Sequence, residues 1–429
     1  MEAIVLAAGK GTRMKSERPK VLHEIFERPL LDYVLATLAD IGVKRPNVVV
    51  GYGAEEVCSF LRKWKTDSRL GVRATAVWQQ DQKGTGHAVA CCEKSLAGFK
   101  GDLLVIPGDV PLVKGQTLID LIRVHRTSDL TASVLSSLRV DPTGYGRILR
   151  AGGRFYAIRE EMDASNSERG VQEVNTGVYV FKAPSLFQAL RKIRPVNQKK
   201  EYYLTDTIEV LIKNGRRVEA FPFASGIEGM GINSRRDLSE VIDAMKTREI
   251  QYHEQHGVTF VASDQTFVAP GVQIGRDTII YPWTYIESGV KIGRHCKIGP
   301  FAKIRKGTVI GDAAEIGSFV EVTRSRLGEK VVAKHLAYLG DAVVGTGTNV
   351  GAGTITANFD GKRKHQTRIG KKVLIGSNTV FVAPVAVGDG AQTGAGCVVT
   401  GGSKIKKGEV VVGVPARPLK NSVAKKRRK

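Results

Sequence analysis

The residues best placed to do chemistry in this 429-residue chain lie close to its start. Leu6-Ala7-Ala8-Gly9-Lys10-Gly11-Thr12-Arg13-Met14 follows the apolar run Ile4-Val5-Leu6, and Pro19-Lys20 comes shortly after. A glycine-rich loop between a strand and a helix presents backbone N–H groups to phosphate oxygens. Arg13 and Lys20 add positive charge suited to a triphosphate. A lone Gly-x-Gly would read as a tight turn; the whole string with its two cations reads as a phosphate site. Asp109, in Gly108-Asp109-Val110-Pro111-Leu112, closes another apolar run. Far downstream, His335 sits among polar residues where a regular repeat breaks, and histidine is the side chain that titrates nearest neutral pH.

The elements that must position these groups differ between the two halves. In the first, Ile4-Val5-Leu6, Asn47-Val48-Val49-Val50-Gly51 and Leu103-Leu104-Val105-Ile106 read as strands, with amphipathic segments such as Leu30 to Ile41 between them. This alternation predicts a Rossmann-like α/β domain with a mostly parallel, doubly wound sheet, whose ligands sit at the carboxyl ends of the strands. Leu238, Val241, Ile242 and Met245 have helical spacing and predict a connecting helix.

From Val268 the period becomes six. Val268, Ile274, Ile280, Ile286, Ile292, Ile298, Ile304, Ile310, Ile316 and Val322 are all aliphatic, and a second phase runs through Ile369, Ile375, Phe381, Val387, Thr393, Val399 and Ile405. Such a period predicts a parallel β-helix with three hexapeptides, about eighteen residues, to each triangular coil. Hexapeptide β-helices are left-handed, although the period alone does not give the hand. The glycine that often follows the aliphatic residue, as at Gly275, Gly293 and Gly311, is expected to supply backbone freedom for the turn. The expected boundaries are 1–232 for the first domain, 233–256 for the helix, 257–418 for the β-helix and 419–429 for a disordered basic tail.

Composition narrows the class. The formal charge is +23, from 65 Lys and Arg against 42 Asp and Glu. The cations are scattered, apart from Lys425-Lys426-Arg427-Arg428-Lys429, and no aromatic–basic interleaving suited to stacking bases occurs. Small anionic substrates are therefore the expected partners, and nucleic acid is not. No run of eighteen apolar residues predicts a membrane span. The N-terminus reads as a first strand and not as a signal peptide. Cys58, Cys91, Cys92, Cys296 and Cys397 include no Cys-x-x-Cys pair, so neither zinc nor a disulfide framework is indicated; a reducing cytoplasm is expected. Cys91-Cys92 reads as a buried helix segment.

Further stretches carry a resemblance. The first loop resembles the signature of sugar-1-phosphate nucleotidyltransferases. With Gln79-Gln80-Asp81-Gln82-Lys83-Gly84-Thr85-Gly86-His87-Ala88, Gly144-Tyr145-Gly146-Arg147-Ile148, Glu173-Val174-Asn175-Thr176-Gly177 and Glu201-Tyr202-Tyr203-Leu204-Thr205-Asp206, nearly the whole chain resembles the bifunctional bacterial N-acetylglucosamine-1-phosphate uridyltransferase/glucosamine-1-phosphate acetyltransferases. The resemblance implies two activities, UTP and acetyl-CoA as substrates, Mg²⁺ as cofactor, and a homotrimer built through the β-helix. It implies that Leu6, Ala8, Gly9 and Lys20 line the nucleotide, and that Gln79, Gln82, Gly84 and Thr85 read the uracil edge. Asp109 and Asn233 would hold Mg²⁺, with Asn233 also near the sugar; Gly146, Glu160 and Asn175 would bind the sugar. Arg13 and Lys20 would neutralise charge during transfer.

In the β-helix the resemblance makes His335 the base that accepts a proton from the sugar amine, with Asp341 in reach to orient it. Arg305, Tyr338, Asn349 and Lys364 would hold the acetyl acceptor. Ala352, Asn358, Phe359, Ser377, Ala395 and Arg417 would lie near the acetyl group and CoA. Three departures stand out: Thr323-Arg324 replaces the usual pair of lysines, Phe359 replaces a tyrosine, and the β-helix is shorter before Arg305. Two alternatives remain: a nucleotidyltransferase of other specificity with a purely oligomerising β-helix, and a non-catalytic regulatory subunit of the same architecture.

Overall fold

Ala3, Ile4 and Val5 in the strand Glu2–Ala7 are all fully buried, because both faces of their sheet are covered. Ala3, Val5 and Ala7 join Leu31, Leu35 and Leu38 of the helix Leu30–Asp40 and Leu118 and Leu121 of the helix Gly115–Thr127. Ile4 points the other way, into a cluster with Val89 of the helix Thr85–Ala90, Leu186 of Ala183–Leu190, and Ile208 of Asp206–Lys213. Alternate side chains of one strand thus feed two cores, the period-two consequence of a doubly covered sheet.

The computed structural model describes residues 1–67 and 72–419, and the expected basic tail lies outside them from residue 420 onward. Chain contacts divide it into two units at Asp243 and Ala244, a point within the helix Arg235–Gln255. In the first unit the sheet order is Val218–Ala224, Ala132–Leu138, Glu173–Lys182, Asp102–Pro107, Glu2–Ala7, Asn47–Val50, Thr75–Trp78. All neighbours are parallel except at Glu173–Lys182, which runs antiparallel to both partners. A hairpin, Arg147–Ala151 with Arg154–Arg159, hangs from that strand through Val174 and Arg147. Cys91 and Cys92 follow the helix Thr85–Ala90 in a turn and do not belong to it; Cys92 is buried and Cys91 half-buried.

The second unit consists of three stacks of short strands, parallel save for the final Arg417–Pro418. The first face runs from Thr259–Phe260, the second from Phe267–Val268 and the third from Gln273–Ile274. Inward residues stack as expected, for example Ile280, Ile298 and Ile316 at eighteen-residue intervals. The interval falls to seventeen at Ile310/Leu327 and Leu327/Val344, then rises to twenty-five at Val344/Ile369. All three changes occur at one corner, between the second and third faces. The chain takes five residues from Val322 to Leu327 and from Leu339 to Val344, then thirteen from Thr356 to Ile369.

The expected role of the repeat glycines needs correction. Gly275, Gly293 and Gly311 do not have a positive φ; the left-handed corners are held by residues such as Asp277, Trp283, His295, Phe301 and Phe319. A Cβ at Gly311 would instead lie 2.7 Å from the backbone nitrogen of Glu329 in the next coil, and one at Gly293 2.7 Å from that of Asp312. These glycines are needed because coils stack at about 4.8 Å. Gly311→Ala should therefore lower the stability of the β-helix by about 1–3 kcal/mol, read as an earlier calorimetric transition. Were backbone freedom the only issue, alanine at this ordinary φ would be neutral or stabilising.

Candidate functional site

In the first unit the candidate groups gather where parallel strands end. Ala8-Gly9, Gly51, Gln79 and Gly108-Asp109 each follow one of four neighbouring strands. Backbone bonds tie these ends together: Gly108 N–H to Leu6 O at 2.9 Å, Tyr52 N–H to Ala8 O at 3.1 Å, and Gln79 N–H to Val50 O at 2.8 Å. Gly9 has open space on its Cβ side, so a ligand can approach its backbone. Gly11 has a φ of 60°, and its missing Cβ would lie 2.9 Å from Lys20 Cβ. The loop consequently folds closely over Lys20.

Lys20 Nζ pairs with the carboxylate of Asp109, which is buried, and donates to Asn233 Oδ1 at 3.1 Å. The Asp109 carbonyl accepts Ile232 N–H at 3.0 Å. Asn233 donates its N–H to Asp237 Oδ2 at 2.8 Å and its Nδ2 to the Gly231 carbonyl at 3.2 Å, which turns Oδ1 toward the lysine. Two hard oxygens from distant parts of the chain therefore converge on one cation. That donor set fits Mg²⁺. No group of three or more His, Cys, Asp or Glu suited to a metal occurs among the described residues. Phosphates and water would complete such an ion's shell, as Mg²⁺ commonly requires.

Gln79 is buried and donates from Nε2 to the Gly84 carbonyl at 3.1 Å, while Gln82 Nε2 donates to the Gln79 carbonyl at 3.1 Å. A Cβ on Gly51 would lie 2.7 Å from Gln82 Nε2 and 3.0 Å from Ala8 Cβ. Ala8, Gln79, Gln82 and Gly84 are thus brought together, and Gly51, which no motif in the sequence marks, joins them. The Thr85 hydroxyl accepts Leu204 N–H at 3.0 Å, a brace between this turn and the 201–206 segment.

The expected sugar ligands also meet. A Cβ on Gly146 would lie 3.6 Å from both Asn175 Cβ and Glu160 Cδ, and Asn175 N–H donates to the Gly146 carbonyl at 2.8 Å. Thr205 Oγ1 donates to Glu160 Oε1 at 3.2 Å, and Asn175 Nδ2 to Tyr179 Oη at 2.7 Å. Burial raises the pKa of Glu160, opposed by the Thr205 hydroxyl. Burial, with Glu209 and Glu160 nearby, pushes Asp206 up to about 6. Arg13 is exposed, with Nη1 3.8 Å from where a Gly144 Cβ would be, so the loop before Gly146 faces the glycine-rich loop.

In the β-helix the candidates fall into two columns. His335 pairs in register with Ser318 at the corner between the first and second faces. Ala352, Ser377 and Ala395 lie in the same column: Asn378 N–H donates to Ala352 O at 2.7 Å and Gly396 N–H to Ser377 O at 2.8 Å, as Leu336 N–H does to Ser318 O at 2.9 Å. The second column, at the next corner, holds Arg324, Asp341 and Asn358. Arg324 Nε and Nη2 meet the two Asp341 oxygens at 2.7 and 2.8 Å, and Asn358 Nδ2 donates to Asp341 Oδ2. The expectation that Asp341 orients His335 is therefore corrected. Its carboxylate is occupied by Arg324 and Asn358, and the whole strand Tyr338–Gly340 separates the two corners.

Tyr338 points outward on the second face and Asn349 on the first. Arg305 is held by Glu287 at 3.3 Å and Glu321 at 2.9 Å. Phe359 and Lys364 bridge each other in the inserted loop, both exposed. Arg417 is exposed on the last strand, opposite Val412. Glu287, Glu321 and the Arg324–Asp341 pair were missed in the sequence. Their signal was spacing: Glu287 and Arg305 are one eighteen-residue coil apart, and Arg324, Asp341 and Asn358 are each one seventeen-residue coil apart.

Comparison with known proteins adds an independent result. The nucleotidyl transferase family matches residues 2–226, and the bacterial transferase hexapeptide family matches 271–306, 289–324 and 366–401. The bifunctional protein GlmU of Pelotomaculum thermopropionicum is 41% identical over 419 residues, covering 90% of each chain. The same-named protein of Heliobacterium modesticaldum is 40% identical over 434 residues, covering 93% of this chain and 92% of its own. With a nucleotidyltransferase sheet followed by hexapeptide coils, and relatives matched across both, the chain belongs to the family of bifunctional GlmU proteins.

Proposed function

We propose that the chain carries out two steps of UDP-N-acetylglucosamine synthesis: acetyl transfer from acetyl-CoA to glucosamine 1-phosphate, and uridylyl transfer from UTP to N-acetylglucosamine 1-phosphate. The observation that carries the second step is the convergence of Asp109 and Asn233 on Lys20 beneath a glycine-rich loop. A sugar-phosphate oxygen attacks the α-phosphorus of UTP, and the bond to pyrophosphate breaks. The nucleophile is already anionic, so no general base is needed, and catalysis is positioning plus charge neutralisation. The backbone around Ala8 and Gly9 receives the triphosphate. Arg13 and Lys20 neutralise it, while Gln79, Gln82, Gly84 and Thr85 surround the base. Gly146, Glu160 and Asn175 orient the sugar. Mg²⁺ held by Asp109 and Asn233 would offset charge on the phosphates.

In the β-helix the exposed imidazole of His335 accepts a proton from the sugar amine as nitrogen attacks the thioester carbon, and the CoA thiolate leaves. Ala352, Ser377 and Ala395 share its column, which supports placing the thioester there. Asn358, Phe359 and Lys364 lie at another corner of the same chain. We take them to serve a neighbouring copy within a homotrimer, with Arg305, Tyr338 and Asn349 on the acceptor and Arg417 on CoA. The five free cysteines suit a reducing cytoplasm.

Two assays on the purified chain test this. Asp109→Ala should cut uridylyl transfer by about a hundredfold or more, measured as pyrophosphate release from UTP, and leave acetyl transfer intact. Chelating Mg²⁺ should do the same. His335→Ala should abolish release of free CoA with glucosamine 1-phosphate and spare the uridylyl step. Equal loss of both activities in either variant would refute the division of labour.

A further inference from the structure

The inserted hairpin at the corner between the second and third faces is tied at both ends to a single residue. Asn358, where the chain leaves the coil, donates from Nδ2 to Asp341 Oδ2. Thr367, where it returns, donates its N–H to the Asp341 carbonyl at 3.2 Å. Between these ties the hairpin is internally braced. The Asn358 carbonyl accepts His365 N–H at 2.7 Å. The Asp360 carboxylate accepts from the N–H groups of Lys362 and Arg363 at 2.8 and 2.7 Å and pairs with His365 Nε2 at 2.7 Å. Phe359 and Lys364 bridge each other within it.

Asp341 is in turn clamped from the preceding coil. Arg324 grips both carboxylate oxygens of Asp341, and the Asp341 N–H donates to the Thr323 carbonyl at 3.0 Å. A planar fork on a carboxylate fixes direction as well as distance. Arg324 Nη1 also donates to Thr323 Oγ1 at 3.2 Å, so three of its nitrogens are engaged. Both Arg324 (φ 47°) and Asp341 (φ 48°) hold the left-handed backbone at the shortened corner. The missing residue matters for the chemistry. At the ordinary eighteen-residue interval the fork would face Ala342, and Asp341 would face Phe359. At seventeen it faces Asp341, and Asp341 faces Asn358.

We propose that Asp341 is a positioning residue for acetyl transfer, fixing the hairpin so that Phe359 and Lys364 reach the substrate as one rigid pair, and that Arg324 serves Asp341 and not the acceptor's phosphate. This rests on the reading that the hairpin serves an acetyl-transfer site. Asn358 is buried, so its amide cannot exchange Asp341 for water without moving the hairpin. The carboxyl group stays below the usual range, held there first by the Arg324 fork, against its own burial.

The experiment uses the full-length assembled protein. Asp341→Asn keeps the shape and removes the charge. It should raise KM for acetyl-CoA or glucosamine 1-phosphate by about tenfold or more, with a smaller change in kcat, and leave uridylyl transfer unchanged. Amide exchange across 358–367 should accelerate while 268–322 stays protected. Arg324→Lys keeps the charge and loses the fork, so it should give a weaker version of both effects. The double variant R324Q/D341N, with two facing amides, should recover part of the KM lost in Asp341→Asn alone. Faster hairpin exchange with both KM values unchanged would overturn the positioning role, and so would unchanged exchange. No release of free CoA with glucosamine 1-phosphate in the unsubstituted protein would instead overturn the underlying acetyltransferase reading.

Discussion

Parallel pairing of strands is the constraint on which both halves depend. Hydrogen-bonded neighbours must sit about 4.8 Å apart and in register. In the first unit this brings the ends of Glu2–Ala7, Asn47–Val50, Thr75–Trp78 and Asp102–Pro107 to one rim, so Ala8, Gly51, Gln79 and Asp109 become neighbours although they are far apart in sequence. In the second unit the same spacing forbids a side chain at Gly293 and Gly311 and turns every fixed interval in the sequence into a vertical column. The candidate groups of the first unit lie where the pairing ends, and the inserted hairpin of the second lies where its count is altered.

The two halves treat charge differently. Around the first glycine-rich loop a cation, a carboxylate and a carboxamide oxygen share one point. In the β-helix the cations nearest the candidate residues are already paired, Arg305 with Glu287 and Glu321 and Arg324 with Asp341. Pairs of this kind at a half-exposed surface contribute little stability. Their effect is on direction: each fork or bridge fixes where a neighbouring group points.

Much of this was legible in the sequence, for identifiable reasons. The hexapeptide period announces the β-helix because each inward position has one neighbour above and one below. The first strand and its glycine loop are local signals. The antiparallel strand Glu173–Lys182 was not legible, since strand direction is set by the connections around it and not by its own composition. The strand Arg147–Ala151, which meets it at Val174 and carries Gly146 on its flank, is legible only as a motif. The glycine role was misjudged because a residue without a Cβ answers two demands, a positive φ and a close approach, and only the coil stacking separates them. Asp341 was given to His335 because they are close in sequence, whereas a triangular coil places residues six apart at different corners.

The substitution at Thr323 takes on a different meaning in this setting. Thr323 is buried, its carbonyl accepts from Asp341 and its hydroxyl from Arg324, so it belongs to the hairpin anchor and is closed to a ligand. Arg324 beside it is committed to Asp341, and Arg305 is shared by two carboxylates. Among the described residues Lys364 is in no ion pair, and it stands exposed on the hairpin. In the proposed acceptor site the free positive charge for a sugar phosphate is then carried by a residue whose place depends on Asp341. Recognition of the phosphate and rigidity of the hairpin become one property.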